Sequence, residues 1–178
     1  QRNGLNNTDI FLSKSTDGGN SWTPATLVND DVFGAPAQQF FTWMTIDQTT
    51  GYIYCVFYDR RNASANATDV YVARSTDGGE SFTNFKVSQS SFTPTSGIFF
   101  GDYTCIAAHN RKIYPIWMRL DGSALSVWTA ILNDSMTVDV PGGEGHASSF
   151  TLQPNYPNPF NPSTMIRFGV PAREHVTL

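Results

Sequence analysis

The chain has 178 residues and a formal net charge of −4, with only three Glu and three Lys among its 26 charged side chains. That length holds one domain or one domain with part of another, and Glu and Lys are too scarce for a mainly helical protein, while Thr, Ser, Asn and aromatics are plentiful, so an all-β fold is expected. A hydrophobic content of 40% excludes global disorder, the lack of a long apolar run excludes a helical membrane span, and a mildly acidic balance without a basic patch argues against nucleic acid as a partner.

The chain starts at Gln1 without an initiator Met or a charged and apolar leader, so any signal peptide is expected to lie outside this sequence. From Thr8 the segment TDIFLSKSTDGGNSWT runs, and it recurs from Thr68 as TDVYVARSTDGGESFT, sixty positions on and without a gap. Self-similarity at a fixed period marks a repeat architecture. Within one unit, turn signals separate four strand candidates at 40–47, 52–59, 69–74 and 81–87. The second is apolar on both faces, Ile53, Cys55 and Phe57 against Tyr54, Val56 and Tyr58, as befits a sheet sandwiched between neighbours.

A degenerate third copy follows. Ile113-Tyr114-Pro115-Ile116-Trp117 stands sixty positions after the run from Ile53, and Val127-Trp128-Thr129-Ala130 resembles Val70-Tyr71-Val72-Ala73 after a three-residue deletion. Pro115 cannot donate to a ladder, and a bulge is expected there. Cys55 and Cys105 both lie in apolar strand-like runs, and two buried free thiols are expected. Four short strands per unit is the pattern of a propeller blade, so residues 1–139 are expected to be a partial β-propeller of about two and a half blades.

Between the third and fourth strands of a unit lie Ser15-Thr16-Asp17-Gly18-Gly19-Asn20-Ser21-Trp22 and Ser75-Thr76-Asp77-Gly78-Gly79-Glu80-Ser81-Phe82. An Asp here accepts following N–H groups, the Gly pair supplies positive φ, and the trailing aromatic is placed to fold back as a plug. Ser15, Asp17, Gly19 and Trp22, with Ser75, Asp77, Gly79 and Phe82, resemble the Asp-box of the sialidase-like, or BNR-repeat, β-propellers, whose pattern is Ser-x-Asp-x-Gly-x-Thr-Trp. Ser21 and Ser81 replace its Thr, and Phe82 its Trp. The resemblance implies that these boxes are structural and lie away from the substrate face.

Pro141-Gly142-Gly143-Glu144-Gly145 reads as a linker, assigned to 140–149. Beyond it, Asn155-Tyr156-Pro157-Asn158-Pro159-Phe160-Asn161-Pro162 and the alternating Met165-Ile166-Arg167-Phe168 resemble the start of the β-sandwich sorting domain of the type IX secretion system, over 150–178. This implies a bacterial protein, secreted or held at the outer-membrane cell surface, with the type IX secretion machinery as a partner.

If the Asp-box turns mark the bottom of the blades, the loops after the second strands mark the top. Asp59-Arg60-Arg61 and Arg119 then lie on the top rim, with Asp102 and Tyr103 near the axis. The sialidase resemblance implies an arginine clamp on a sugar carboxylate, drawn from Arg60, Arg61 and Arg119, since a guanidinium fork matches a carboxylate. It implies chemistry carried by an Asp and a Tyr, for which Asp59, Asp102 and Tyr103 are the candidates. No Glu stands beside Tyr103 in the sequence, so the expectation divides between a glycoside hydrolase acting on sialylated or related glycans and a non-catalytic propeller binding glycan or surface protein. The bland alternatives are an ion-paired, solvated strand end at Asp59-Arg60-Arg61 and a strand aromatic at Tyr103. The three His have no spacing for a metal site, and no cofactor is expected. Asn6, Asn62, Asn66 and Asn133 head Asn-x-Ser/Thr triplets, glycosylation acceptors only in a eukaryotic secretory pathway.

Overall fold

The computed structural model describes residues 7–32, 35–62, 66–100 and 103–135, together with the backbone of 151–152 and 168–169. These residues form strands and turns in antiparallel sheets, with no helix among them long and apolar enough to cross a membrane. The chain divides into two units, Gln1–Asp139 and Val140–Leu178.

The first unit opens with a two-stranded pair, β1 (Phe11–Leu12) and β2 (Thr26–Leu27). Next come β3 (Gln39–Ile46), β4 (Ile53–Asp59), β5 (Asp69–Ser75) and β6 (Thr83–Lys86), an antiparallel meander paired in chain order. These are the four strands expected of one repeat unit, displaced by no more than two residues at any end. A second sheet follows from β7 (Cys105–His109), β8 (Lys112–Asp121), β9 (Ala124–Thr129) and β10 (Leu132–Asn133). In the second unit, β11 (Thr151–Leu152) pairs with β12 (Phe168–Gly169). The Asn155 to Pro162 string lies outside the described residues.

β4 is buried along its whole length because its two apolar faces have different partners. Tyr54, Val56 and Tyr58 join Val70 and Val72 of β5 in a core with Ile106, Ile113, Trp117 and Leu120 of the second sheet. Ile53, Cys55 and Phe57, with Tyr71 and Ala73, pack instead on Ile10 and Val28 beside β1 and β2. Each large apolar side chain so buried contributes roughly 1.5–3 kcal/mol. Burial also pushes the Cys55 thiol up to about 12, leaving it inert.

Two local expectations are corrected. Pro115 makes no bulge, since the β7–β8 register runs evenly through Ile106↔Pro115. Its carbonyl accepts from Thr129 Oγ1 (2.8 Å), so its missing N–H falls on the side of β9 and β10. There the ladder lapses over Ala130 and Ile131 and resumes at Leu132↔Ile113 in the register of Thr129↔Ile116. The register shift lies in β3 instead, between Phe40 and Trp43, where Phe41 takes φ of 52°. That left-handed backbone strains an aromatic residue. It is held by Thr104 Oγ1, which donates to the Phe41 carbonyl (2.7 Å), and by ring contacts to Phe40 and Tyr58. Finally, Cys55 and Cys105 are both free, but only Cys55 is buried; Cys105 lies on the exposed face of β7.

The two glycine-rich turns share one hydrogen-bond pattern. Ser15 Oγ accepts the Gly19 N–H (2.8 Å) and donates to Asp17 Oδ1 (2.7 Å), while Asp17 accepts the Ser21 N–H (2.9 Å) and hydroxyl (2.6 Å). Ser75, Gly79, Asp77 and Ser81 repeat these bonds at 2.8, 2.7, 3.0 and 2.5 Å. Gly18 and Gly78 each take φ of 73°. The Ser21 and Ser15 bonds hold the Asp17 carboxyl well below the usual range, and Asp77 is held in the same way. The aromatic plug is formed by one copy only: Phe82 packs on the core beside Ile10, whereas Trp22 is 65% exposed. Lys14 reaches the second turn, donating to the Gly78 carbonyl (3.1 Å) and pairing with Glu80, so both turns lie at one end of the unit.

Candidate functional site

At the opposite end from these turns, the chain leaves β4 at Asp59 and enters β5 at Asp69, two residues directly paired across the sheet. An open cleft of about 620 Å³ lies at this end, lined by Gln38 before β3, Asp30, Asp31 and Val32 after β2, Ala35 to Ala37, and Arg60, Arg61, Asn62 and Asn66. The sheet end at Asp59-Arg60-Arg61 is thus a cleft wall.

Asp59 is fully buried, which removes it from contact with any substrate. Its carboxylate accepts the Arg61 N–H (2.7 Å), Arg61 Nε (2.8 Å) and Gln39 Nε2 (3.3 Å). Burial nevertheless pushes its carboxyl up from the usual range, because those bonds only partly replace lost hydration. The pair is ionic as expected but buried at its acidic end, where a solvated strand end was the alternative.

Arg61 is the hub of this wall. Besides Asp59 it pairs with Asp30 and, at 3.8 Å, with Asp31; its Nη2 donates to Asn84 Oδ1 (2.9 Å), and its guanidinium lies 4.4 Å from the Tyr71 ring centroid. Burial works against its charge, but Asp30, Asp59 and Asp31 outweigh it and hold the guanidinium above its usual range. With its donors engaged, Arg61 is not free to clamp a ligand.

Arg60 differs. Its backbone N–H donates to the Gln38 carbonyl (3.1 Å), Nη1 to Gln38 Oε1 (2.8 Å) and Nε to Thr68 Oγ1 (3.3 Å), and its guanidinium lies over Phe40. Among the described residues no carboxylate pairs with it, and burial pulls its pKa down. It is a partly buried cation in a cleft wall whose hydrogen-bond partners, among the described residues, are neutral.

The remaining candidates lie elsewhere. Arg119, only 8% exposed, is forked on Asp121 (2.7 and 2.8 Å), donates to the Ser90 carbonyl (2.6 Å) and hydroxyl (3.0 Å), and contacts the Phe92 and Trp128 rings. The Asp121 carboxyl is lowered by its hydrogen bond to Arg119. Arg119 does not line the cleft. Tyr103 is 74% exposed and precedes β7 without belonging to a strand, and Asp102 lies outside the described residues. Among the described residues no group of His, Cys, Asp and Glu is placed to hold a metal ion.

Sequence reasoning missed Gln38, Asp30 and Asp31. Adjacent acids in a chain so poor in charge were the available signal, since Asp30-Asp31 follows β2 much as Arg60-Arg61 follows β4. Among the described residues the cleft thus offers the Arg60 guanidinium without a carboxylate partner, an ion-paired acidic wall and the amides of Gln38, Asn62 and Asn66. Compared with known proteins, the chain matches no protein-family model and no curated protein.

Proposed function

We propose that the chain is part of a sialidase-like Asp-box propeller, exported by a bacterium through the type IX route, that binds carboxylate-bearing glycans without cleaving them. The supporting observation is the contrast between Arg60, a cleft-lining guanidinium with no carboxylate partner among the described residues, and Arg61 and Arg119, whose donors are taken by Asp59, Asp30 and Asp121. The paired glycine-rich turns and the four-stranded meander support the propeller reading. The string at Asn155 to Pro162 supports export and surface display.

The hydrolase reading draws on Asp59, Asp102 and Tyr103. Asp59 argues against it, being buried and bonded to Arg61. Titration of the protein with a sialoside and with a neutral galactoside separates the two. Binding of the sialoside alone, weakened about tenfold or more in Arg60→Ala, is the expected result; that factor is roughly 1.4 kcal/mol, in the range of one charge-assisted contact. Turnover of a fluorogenic sialoside by the protein, lost in Tyr103→Phe, would overturn the non-catalytic assignment.

A further inference from the structure

The register shift in β3 decides what faces Arg60. Phe40 pairs with Tyr58 and Trp43 with Val56, so Phe41 and Thr42 together stand against Phe57 alone. One extra residue on one strand is a β-bulge, and it re-aims the side chains beyond it. Counted back from Trp43↔Val56 in an unbroken ladder, Phe41 would meet Tyr58, Phe40 would meet Asp59 and Gln39 would meet Arg60. With the bulge, Phe40 meets Tyr58, Gln39 meets Asp59, and the Gln38 carbonyl accepts the Arg60 N–H. The contacts that tie Arg60 to this stretch, from its N–H and Nη1 to Gln38 and from its guanidinium to the Phe40 ring (4.9 Å to the centroid), all lie on the N-terminal side of the bulge.

The bulge is held from the second sheet. Phe41 takes φ of 52°, a backbone that an aromatic residue keeps only where its surroundings impose it. Thr104, buried just before β7 and 63 positions away, donates its hydroxyl to the Phe41 carbonyl (2.7 Å). The Phe41 ring adds edge contacts to Phe40 (5.1 Å) and Tyr58 (6.2 Å).

We propose that Thr104 and Phe41 are positioning residues for Arg60: the hydroxyl from the second sheet holds the β3 bulge, and the bulge presents Gln38 and Phe40 to the guanidinium in the cleft wall. The effect on ligand rests on the reading of Arg60 as the carboxylate contact of a glycan; the positioning itself does not.

The Nε–H resonance of Arg60 in the full chain, without glycan, tests this. In the parent it is expected to be shifted by the Phe40 ring and slowed in exchange by its bond to Thr68 Oγ1. Thr104→Val keeps the side-chain shape and removes the donor. The ring shift is then expected to collapse and exchange to quicken about tenfold or more, while the amides of β4 and β5 keep their protection. Thr104→Ser, which keeps a hydroxyl, retains both signals. Parental Arg60 signals in Thr104→Val overturn the proposal. So does a loss of β4 and β5 protection in that variant, which would make Thr104 a support of the whole sheet. If Thr104→Val does not fold, Phe41→Gly and Phe41→Val decide: glycine takes φ of 52° without strain and is expected to keep the Arg60 signals, while branched valine loses them. The same result in both would overturn the proposal.

Sialoside titration separates this role from the glycan reading. Affinity is expected to fall about tenfold in Thr104→Val and to be kept in Thr104→Ser. A parent that binds no sialoside, or a Thr104→Val protein that binds it normally with Arg60 displaced, removes the glycan reading and leaves the positioning role standing.

Discussion

The Tyr58 hydroxyl donates to the Met118 carbonyl and accepts the Met118 N–H, both at 2.9 Å, joining residues sixty positions apart on equivalent strands of the two sheets. β7 stops pairing with β8 at Ile116, so these Met118 groups lack a ladder partner and the phenol takes the place of one. Burial pushes the Tyr58 hydroxyl up to about 12, keeping it protonated and able to act as both donor and acceptor.

Tyr58→Phe keeps the ring against Phe40, Phe92 and Phe100 and removes only the hydroxyl. Two backbone groups then lose their partner, so the expected destabilisation is about 1–3 kcal/mol by urea unfolding, with no change in m-value. A loss under about 0.5 kcal/mol would mean that water replaces the phenol, and the bridge would then carry little of the contact between the sheets.

Asp47 makes a second link between the sheets. The tip of the β7–β8 hairpin, Asn110-Arg111, has φ of 49° and 64°, which turns both N–H groups onto the Asp47 carboxylate at 3.2 and 2.8 Å. Burial works against the charge, but Thr49 and the Arg111 and Asn110 amides outweigh it and hold the carboxyl well below its usual range. A carboxyl whose folded pKa lies below its unfolded value stabilises the fold fully above that unfolded value, about 4, and loses the contribution as pH falls toward the folded one. Stability is therefore expected to fall from about pH 4 downward, and Asp47→Asn to flatten that slope while costing about 1–3 kcal/mol at neutral pH. Denaturant unfolding of parent and variant between pH 2 and pH 7 measures both; parallel pH profiles would remove Asp47 from the acid response.

The paired turns separate conformational strain from packing. Gly19 and Gly79 have φ of 92° and 86°, so Ala strains both backbones by roughly 1–2 kcal/mol. A Cβ on Gly19 meets nothing within 4 Å, whereas one on Gly79 comes to 2.6 Å from Leu12 Cδ2. Leu12 must move from its place beside the β1 core, so Gly79→Ala is expected to lower the melting temperature more than Gly19→Ala. Equal shifts would show that Leu12 rotates away freely.

The first sheet was legible because each strand is bounded by turn residues and β4 carries apolar residues on both faces, a local pattern that survives without knowledge of its neighbours. The turns were legible for the same reason: every bond in them spans four residues or fewer. The cleft was not. Asp30 and Arg61 are 31 positions apart, and they meet because Asn84 holds the chain after β2 through its bonds to Asp30 and Val28. Which arginine stays uncompensated depends on such long-range pairs, so Arg60, Arg61 and Arg119 looked equivalent in sequence. Pro115 was misjudged because alternation lets a strand lose a donor on one side and keep its ladder on the other.

The two neighbouring arginines carry the sharpest contrast. Arg61→Ala leaves Asp59 buried without its counter-charge and removes the cation paired with Asp30 and Asp31, and loss of one partner of a buried pair costs about 3–5 kcal/mol. Arg60→Ala removes two bonds to neutral side chains, Gln38 and Thr68, and relieves a cation that burial disfavours, so its cost is expected to stay near 1 kcal/mol. Under the proposed glycan binding the order reverses: Arg60→Ala is expected to weaken it about tenfold or more in a protein that still unfolds cooperatively, while any loss in Arg61→Ala tracks the fall in stability. Chemical denaturation and calorimetric titration of both variants read the two effects separately. A folded Arg60→Ala protein with parental affinity would remove the cation from the ligand site and leave the cleft without an anion contact.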